Sequence, residues 1–312
     1  MKILFMGTPD FAAGILKAIY EDSRHEVVSV VTQPDRPKGR SATLVASPVK
    51  EYAIEHGISV LQPGRIKEAS EVEKLKTIDA DIYVVAAFGQ ILSKEILDIP
   101  KYGCINVHAS LLPEYRGAAP IQWAIADGKK ITGVTIQQMN EGVDTGDIIS
   151  SNEIRIADDE TGGSLFDRLM VVGEKLITET LDLIEEGRAV RTPQDESRAT
   201  YAKILKKEMG CIDYSESAEE IERLVRAFTP WPGGYTYLDG RMIKIKNCRV
   251  YPGKSDKEGG TITEVTKDEI VVACRDSLLA ISDLQCEGKK AMKVSDYLRG
   301  NHIEPGMIFT KC

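Results

Sequence analysis

Asn106 and His108 lie two residues apart in the run Ile105-Asn106-Val107-His108. In an extended strand, positions i and i+2 share a face. One face would then carry an amide donor, suited to a developing oxyanion, beside an imidazole, the side chain that ordinarily titrates near neutral pH. The separate loop Gly142-Val143-Asp144-Thr145-Gly146-Asp147 can supply a carboxylate that orients the ring. The trio suits acyl transfer to an amine with no covalent enzyme intermediate. A lone strand histidine is usually a satisfied core residue. Asparagine, however, is poor strand material and costly to bury unpaired. Packing does not explain the pair together with a polar Gly-Asp loop. Asp147 is read as an ordinary turn residue.

The elements needed to position these groups follow from hydrophobic patterning. Lys2–Gly7 reads as a buried strand, followed by a helix from about Pro9 to Tyr20 with Thr8 as its N-cap. Glu26–Gln33 is a strand, Ser47-Pro48 opens a helix that Gly57 closes, Ile58–Gln62 is a strand and Ile66–Thr77 a charged helix. Asp81–Phe88 and Cys104–His108 are nearly continuous apolar runs, as in strands buried on both faces. Strands separated by helices imply right-handed crossovers and an α/β, Rossmann-like, mostly parallel sheet, with ligands beyond the strands' carboxyl ends. The loops after Phe88 and His108 lie at such ends. Lys130–Met139 and Asp147–Ile156 read as further strands, and Gly163–Glu186 as a long helix. Residues 1–188 are thus expected to form a catalytic domain and 189–206 a linker. Residues 207–312, with one helix at about Ala218–Phe228 and short strands broken by Gly and Pro, are expected to form a small β-barrel like an oligonucleotide-binding fold.

At 312 residues, 42% hydrophobic and 28% charged, the chain has the composition of an ordinary soluble protein. The net charge of −8 argues against a surface that coats nucleic acid. Residues 201–312 hold 18 Lys+Arg against 17 Asp+Glu; the remainder holds 22 against 31, so any nucleic-acid contact must be local. Arg36, Lys38 and Arg40 lie close together in a loop. Lys244 and Lys246 alternate along one strand face, and Lys289, Lys290 and Lys293 form a second cluster. Each group is either solvated surface or a grip on phosphates. The six cysteines are scattered and read as reduced thiols of a cytoplasmic protein. No metal site, membrane segment or oligomer is expected. Gly7-Thr8-Pro9-Asp10 lacks the glycine spacing of a dinucleotide loop.

Taken together, KILFMGTPDFA, TQPDRPKGR, SPVKEYA, INVHASLLPEYRGAAPIQWAI, GVTIQQMNEGVDTGDI, FTPWPGGYTY and LQCEGKKAM resemble the folate-dependent formyltransferases, especially the branch directed at tRNA. The resemblance runs nearly the full length. It implies a Rossmann-like domain followed by a barrel, with 10-formyltetrahydrofolate as co-substrate and initiator methionyl-tRNA as partner. It assigns catalysis to Asn106, His108 and Asp144. It assigns folate binding to Ser110, Leu111, Leu112 and Pro113 and to Phe88, Gly89, Gln90, Ile91 and Leu92. Phe88 stands where the family usually has tyrosine. Arg36, Lys38, Arg40, Lys244 and Lys246 become tRNA contacts. After Arg40 the family often has lysines, whereas this chain has Ser41-Ala42-Thr43-Leu44-Val45. The competing readings are a formyltransferase for an amino-sugar nucleotide or other small amine, an idle RNA-binding protein and a dinucleotide oxidoreductase.

Overall fold

The computed structural model describes residues 1–38 and 43–311. Two compact units emerge. The first comprises Met1–Pro120, Ile131–Arg155 and Phe166–Ala202; the second comprises Ile121–Lys130, Ile156–Leu165 and Lys203–Cys312.

In the first unit, β1 (Lys2–Gly7), α1 (Asp10–Asp22), β2 (Glu26–Val31), β3 (Arg36–Lys38), β4 (Thr43–Val45), α2 (Pro48–Glu55), β5 (Ser59–Leu61), α3 (Ala69–Lys76), β6 (Ile82–Ala86), α4 (Lys94–Leu97) and β7 (Cys104–His108) follow in order. Then come β8 (Arg116–Gly117), α5 (Pro120–Ala126), β9 (Ile131–Gln138), β10 (Ile148–Arg155), α6 (Gly162–Glu185) and β11 (Tyr201–Ala202), with α5 and α6 each crossing from one unit into the other. The main sheet runs β10-β9-β7-β6-β1-β2-β5. Its β7-β6-β1-β2-β5 part is parallel, as the alternation of strand and helix requires. Both β6 and β7 are buried along their whole length. The expected strands after residue 130 exist, but β9 is antiparallel to both β7 and β10. Hydrophobic runs carry no sign of strand direction.

Local chemistry explains several boundaries. Ser47 caps α2 by accepting from the Lys50 N–H at 3.1 Å, and Pro48 fills the first turn. Thr8 does not cap α1: Pro9 occupies the N-cap position without a side-chain bond, and the Thr8 hydroxyl donates to the Phe88 carbonyl at 3.2 Å. The basic loop at Arg36 is in part a hairpin, with Arg36 opposite Val45. Arg40 lies outside the described residues, as does the side chain of Lys38.

The second unit holds α7 (Ala218–Ala227), β12 (Gly234–Leu238), β13 (Arg241–Tyr251), β14 (Ile262–Val265), β15 (Ile270–Ala273), β16 (Leu278–Cys286), β17 (Met292–Lys293) and α8 (Val294–Tyr297). Its antiparallel sheet runs β12-β13-β16-β15-β14, with β17 on β16. Asp239 and Gly240 both adopt positive φ and close the β12–β13 hairpin, the conformation that an Asp-Gly pair favours. Near the end of the chain, Thr310 bridges to Tyr237 on β12 and Ile308 to Thr261 beside β14. The tail thus ties the two edges together, as a barrel requires. Cys104, Cys248, Cys274 and Cys286 are free thiols.

Among the described residues no helix is long and apolar enough to cross a membrane.

Candidate active site

Asn106 and His108 emerge on one face of β7, both nearly buried. Asp144 comes from the loop between β9 and β10. It holds a left-handed backbone (φ 53°), uncommon outside glycine but tolerated by aspartate. Its carboxylate is well held. Oδ2 accepts from the Gly117 N–H at 2.8 Å, and Oδ1 accepts from Gln137 Nε2 at 2.8 Å and from Asn106 Nδ2 at 3.4 Å. The amide of Asn106 has a second hydrogen that remains for a ligand.

The imidazole is oriented differently from the sequence expectation. His108 Nε2 lies 2.9 Å from the Tyr115 carbonyl, while Nδ1 lies 3.6 Å from Asp144 Oδ1. A carbonyl only accepts, so Nε2 carries a hydrogen and Nδ1 is the nitrogen free to exchange one. A backbone hydrogen bond therefore fixes the ring, and Asp144 acts on it as a neighbouring negative charge. Tyr115 also has a left-handed backbone (φ 59°), which aims its carbonyl at the ring. Nothing in the sequence singled out Tyr115, because its contribution is main chain.

Other groups converge on the same loops. Thr135 Oγ1 donates to the Ser110 carbonyl at 2.7 Å and accepts from the Leu112 N–H at 3.1 Å. Ser110 is fully buried, and its hydroxyl donates to the Glu114 carbonyl at 2.6 Å. Its proton thus serves the turn, and Pro113 follows a cis peptide bond. Leu112 and Pro113 are buried, while Leu111 is half-buried.

Most of the 88–92 loop is scaffold. The Phe88 ring is 2% exposed and packs in the core with Leu4, Met6 and Tyr83. Gln90 spends its amide on the Ile66 N–H and the Pro63 carbonyl, and Leu92 is buried. Only Gly89 and Ile91 face outward, Ile91 being 60% exposed. Val143, beside Asp144, is 52% exposed.

A cavity of about 420 Å³ opens where β1 and β6 end, between Thr8, Gln33, Arg36, Ser47, Phe88 and Gly89. The sheet order reverses between these two strands, the usual crevice for ligands in such sheets. This cavity is not lined by Asn106, His108 or Asp144. Arg36 is exposed at its wall and bonds to Gln33. In the second unit, Lys244 and Lys246 alternate with the buried Ile243 and Ile245 and so share the outer face of β13.

The segment expected to be a linker contributes most of what sequence reasoning missed. Arg116, 0% exposed, is gripped by Glu196 through two hydrogen bonds at 2.6 and 2.9 Å and by Gln194 Oε1 at 2.8 and 3.1 Å. A buried cation demands such partners. The guanidinium holds the Glu196 carboxyl below its ordinary range. Gln194 Nε2 donates to the carbonyls of Asp144 and Gly146 at 2.9 and 2.7 Å. Thr200 accepts the Tyr115 N–H on its hydroxyl at 2.8 Å, and Tyr201-Ala202 pair with Arg116-Gly117. Gly117 has a φ of 108°, and a Cβ there would lie 2.8 Å from the Ala202 carbonyl.

Residues 1–181 match the family model described as formyl transferase, and residues 204–302 match that of the formyl transferase C-terminal domain. The chain is 52% identical to a methionyl-tRNA formyltransferase of Agathobacter rectalis, over 99% of this chain and all of that one. It is 49% identical to the methionyl-tRNA formyltransferase of Clostridioides difficile, over 99% of each. Among solved structures, an N-formyltransferase from Helicobacter canadensis, in complex with folinic acid and dTDP-3-aminofucose, shares the fold at a TM-score of 0.68 and 18% identity. That match covers 90% of this chain and 98% of the other.

Proposed function

This chain belongs to the formyl transferase family, and we propose that it moves the formyl group of 10-formyltetrahydrofolate to the α-amine of methionine on initiator tRNA, with Asn106, His108 and Asp144 at the reacting centre. The observation that carries this assignment is the meeting of an amide, an imidazole and a carboxylate from two separate segments within 3.6 Å.

The amine nitrogen attacks the formyl carbon, forming a C–N bond as the carbonyl electron pair moves onto oxygen. The uncommitted N–H of Asn106 donates to that oxygen. His108 Nδ1 accepts the proton leaving the amine and delivers one to the folate nitrogen as the old C–N bond breaks. Asp144 stabilises the ring while it carries the proton. Gly89 and Ile91, with Leu111 and the adjacent turn, are proposed to hold the folate. Arg36 and, on the second unit, Lys244 and Lys246 are proposed as phosphate contacts for tRNA. Lys38 and Arg40 complete the proposed set.

Incubating the purified chain with 10-formyltetrahydrofolate and methionyl-tRNA should yield N-formylmethionyl-tRNA over many turnovers. Formylation of an amino-sugar nucleotide with none of methionyl-tRNA would overturn the acceptor assignment. The high identity to relatives named for methionyl-tRNA, against 18% to the sugar-directed structure, favours the tRNA reading.

A further inference from the structure

Asp144 sits in one loop, and the Tyr115 carbonyl that fixes the His108 ring belongs to another. The Asp144 loop contains two glycines. The loop that carries the Tyr115 carbonyl and the Gly117 N–H runs from Ala109 to Ala119 with little regular structure. One side chain touches both. Gln194 Nε2 donates to the Asp144 and Gly146 carbonyls, while its Oε1 accepts from the guanidinium of Arg116, the residue between Tyr115 and Gly117.

We propose that Gln194 is a positioning residue for formyl transfer, an amide brace that sets the distance between the Asp144 carboxylate and the His108 ring by linking the Asp144 loop to the loop whose carbonyl fixes the ring.

This assignment rests on the reading of Asn106, His108 and Asp144 as the reacting groups. The amide suits the task because it is bifunctional. Two donor hydrogens meet two carbonyls, and an acceptor oxygen meets a cation. No other side chain of similar length presents both in fixed opposition. The brace also maintains the left-handed backbone at Asp144, since the carbonyl it holds belongs to that residue. Arg116 is in turn fixed by Glu196, so the Gln194 oxygen has a partner that cannot swing away. A carboxylate displaced by about 1 Å can lower turnover by up to 10²-fold without altering substrate contacts.

Two substitutions separate positioning from simple support. Gln194→Glu keeps an acceptor for Arg116 but presents oxygen to two carbonyls, removing both donated bonds. Gln194→Met keeps the length and loses both functions. Both variants are expected to lower kcat by about 10- to 100-fold. KM for folate and for methionyl-tRNA should stay within about threefold, since Gln194 binds neither loop to a substrate. Thermal melting and circular dichroism identify any variant that fails to fold. If the folded Gln194→Glu protein turns over like wild type, the brace serves only Arg116 and the inference fails. A rise in KM with kcat unchanged also overturns it. Asp144→Asn, assayed alongside, keeps the two questions apart. Full activity there defeats the assigned trio, whereas loss there with none in either Gln194 variant defeats the brace alone.

Discussion

Replacing Asp144 by asparagine removes one charge and almost no volume, so its effect can be worked out from distances. The new side chain must keep an oxygen toward the Gly117 N–H, now 2.8 Å away. Its NH₂ then faces Gln137 Nε2 and Asn106 Nδ2, both donors. Gln137 cannot turn its amide over, because its Oε1 accepts from the Gly146 N–H at 3.1 Å. A hydrogen bond to a charged group, worth about 1.5–3 kcal/mol, is therefore lost outright, and this loss falls on folding and loop position. A second loss falls on the transition state. Opposite unit charges 3.6 Å apart attract by about 4–5 kcal/mol at an effective dielectric of 20. Solvent reaching the half-buried carboxylate trims that figure, while the displaced loop adds to it. The expected net loss is about 3–5 kcal/mol, or 10²–10⁴-fold in kcat. Turnover is followed as N-formylmethionyl-tRNA at saturating co-substrates, with thermal melting as the folding control. A well-folded Asp144→Asn protein with kcat within threefold of wild type would refute both the electrostatic argument and the place of Asp144 in the reaction.

Other substitutions test separate parts of the account. Asn106→Ala should cost about 10²–10³-fold in kcat, the scale of a lost oxyanion donor, and a smaller loss in steady-state assays would move the oxyanion contact elsewhere. Arg36→Ala should raise the Kd for tRNA, steeply at low salt, and leave folate binding alone; equal tRNA affinity by filter binding would make Arg36 ordinary surface. Asp213 pairs with Lys311 and accepts from Ser215, which together lower its carboxyl from 3.8 to about 2. The stability this supplies is present above the ordinary carboxylate range and is lost as pH falls from about 4 toward 2. Asp213→Asn should therefore lower the denaturation midpoint at pH 7, and the gap from wild type should shrink on acidification. A gap independent of pH would exclude the ion pair as its cause.

Much of this was legible in the residues. The apolar runs at Asp81–Phe88 and Cys104–His108 marked strands sealed on both faces, because only such strands dispense with alternation. Ser47-Pro48 announced a helix start through chemistry confined to one turn. The i, i+2 spacing of Asn106 and His108 brought them to one face, since β geometry is local. What escaped depended on contacts that no sequence pattern marks. The antiparallel run of β9, the Tyr115 carbonyl that holds the imidazole and the partnership of Arg116 with Gln194 and Glu196 join residues that no periodicity connects. Polar composition from 189 to 206 resembled a spacer because a segment that works through hydrogen bonds is built from the same residue types as one that does nothing.

The stretch from Thr192 to Ala202 has a consequence for anyone who would shorten or transplant the catalytic half. The match to the first formyl transferase model ends at residue 181, and the last long helix at Glu185. A fragment cut there would retain every strand of the main sheet and the three side chains proposed to react. It would lack the brace from Gln194, the partner of Arg116 and the pairing of Tyr201-Ala202 with β8. A sheet-domain fragment that keeps these contacts therefore has to reach Ala202, beyond the end of the long helix at Glu185. Grafting only the sheet would transfer Asn106, His108 and Asp144 without the contacts of Gln194 and Glu196 that hold the loops around them.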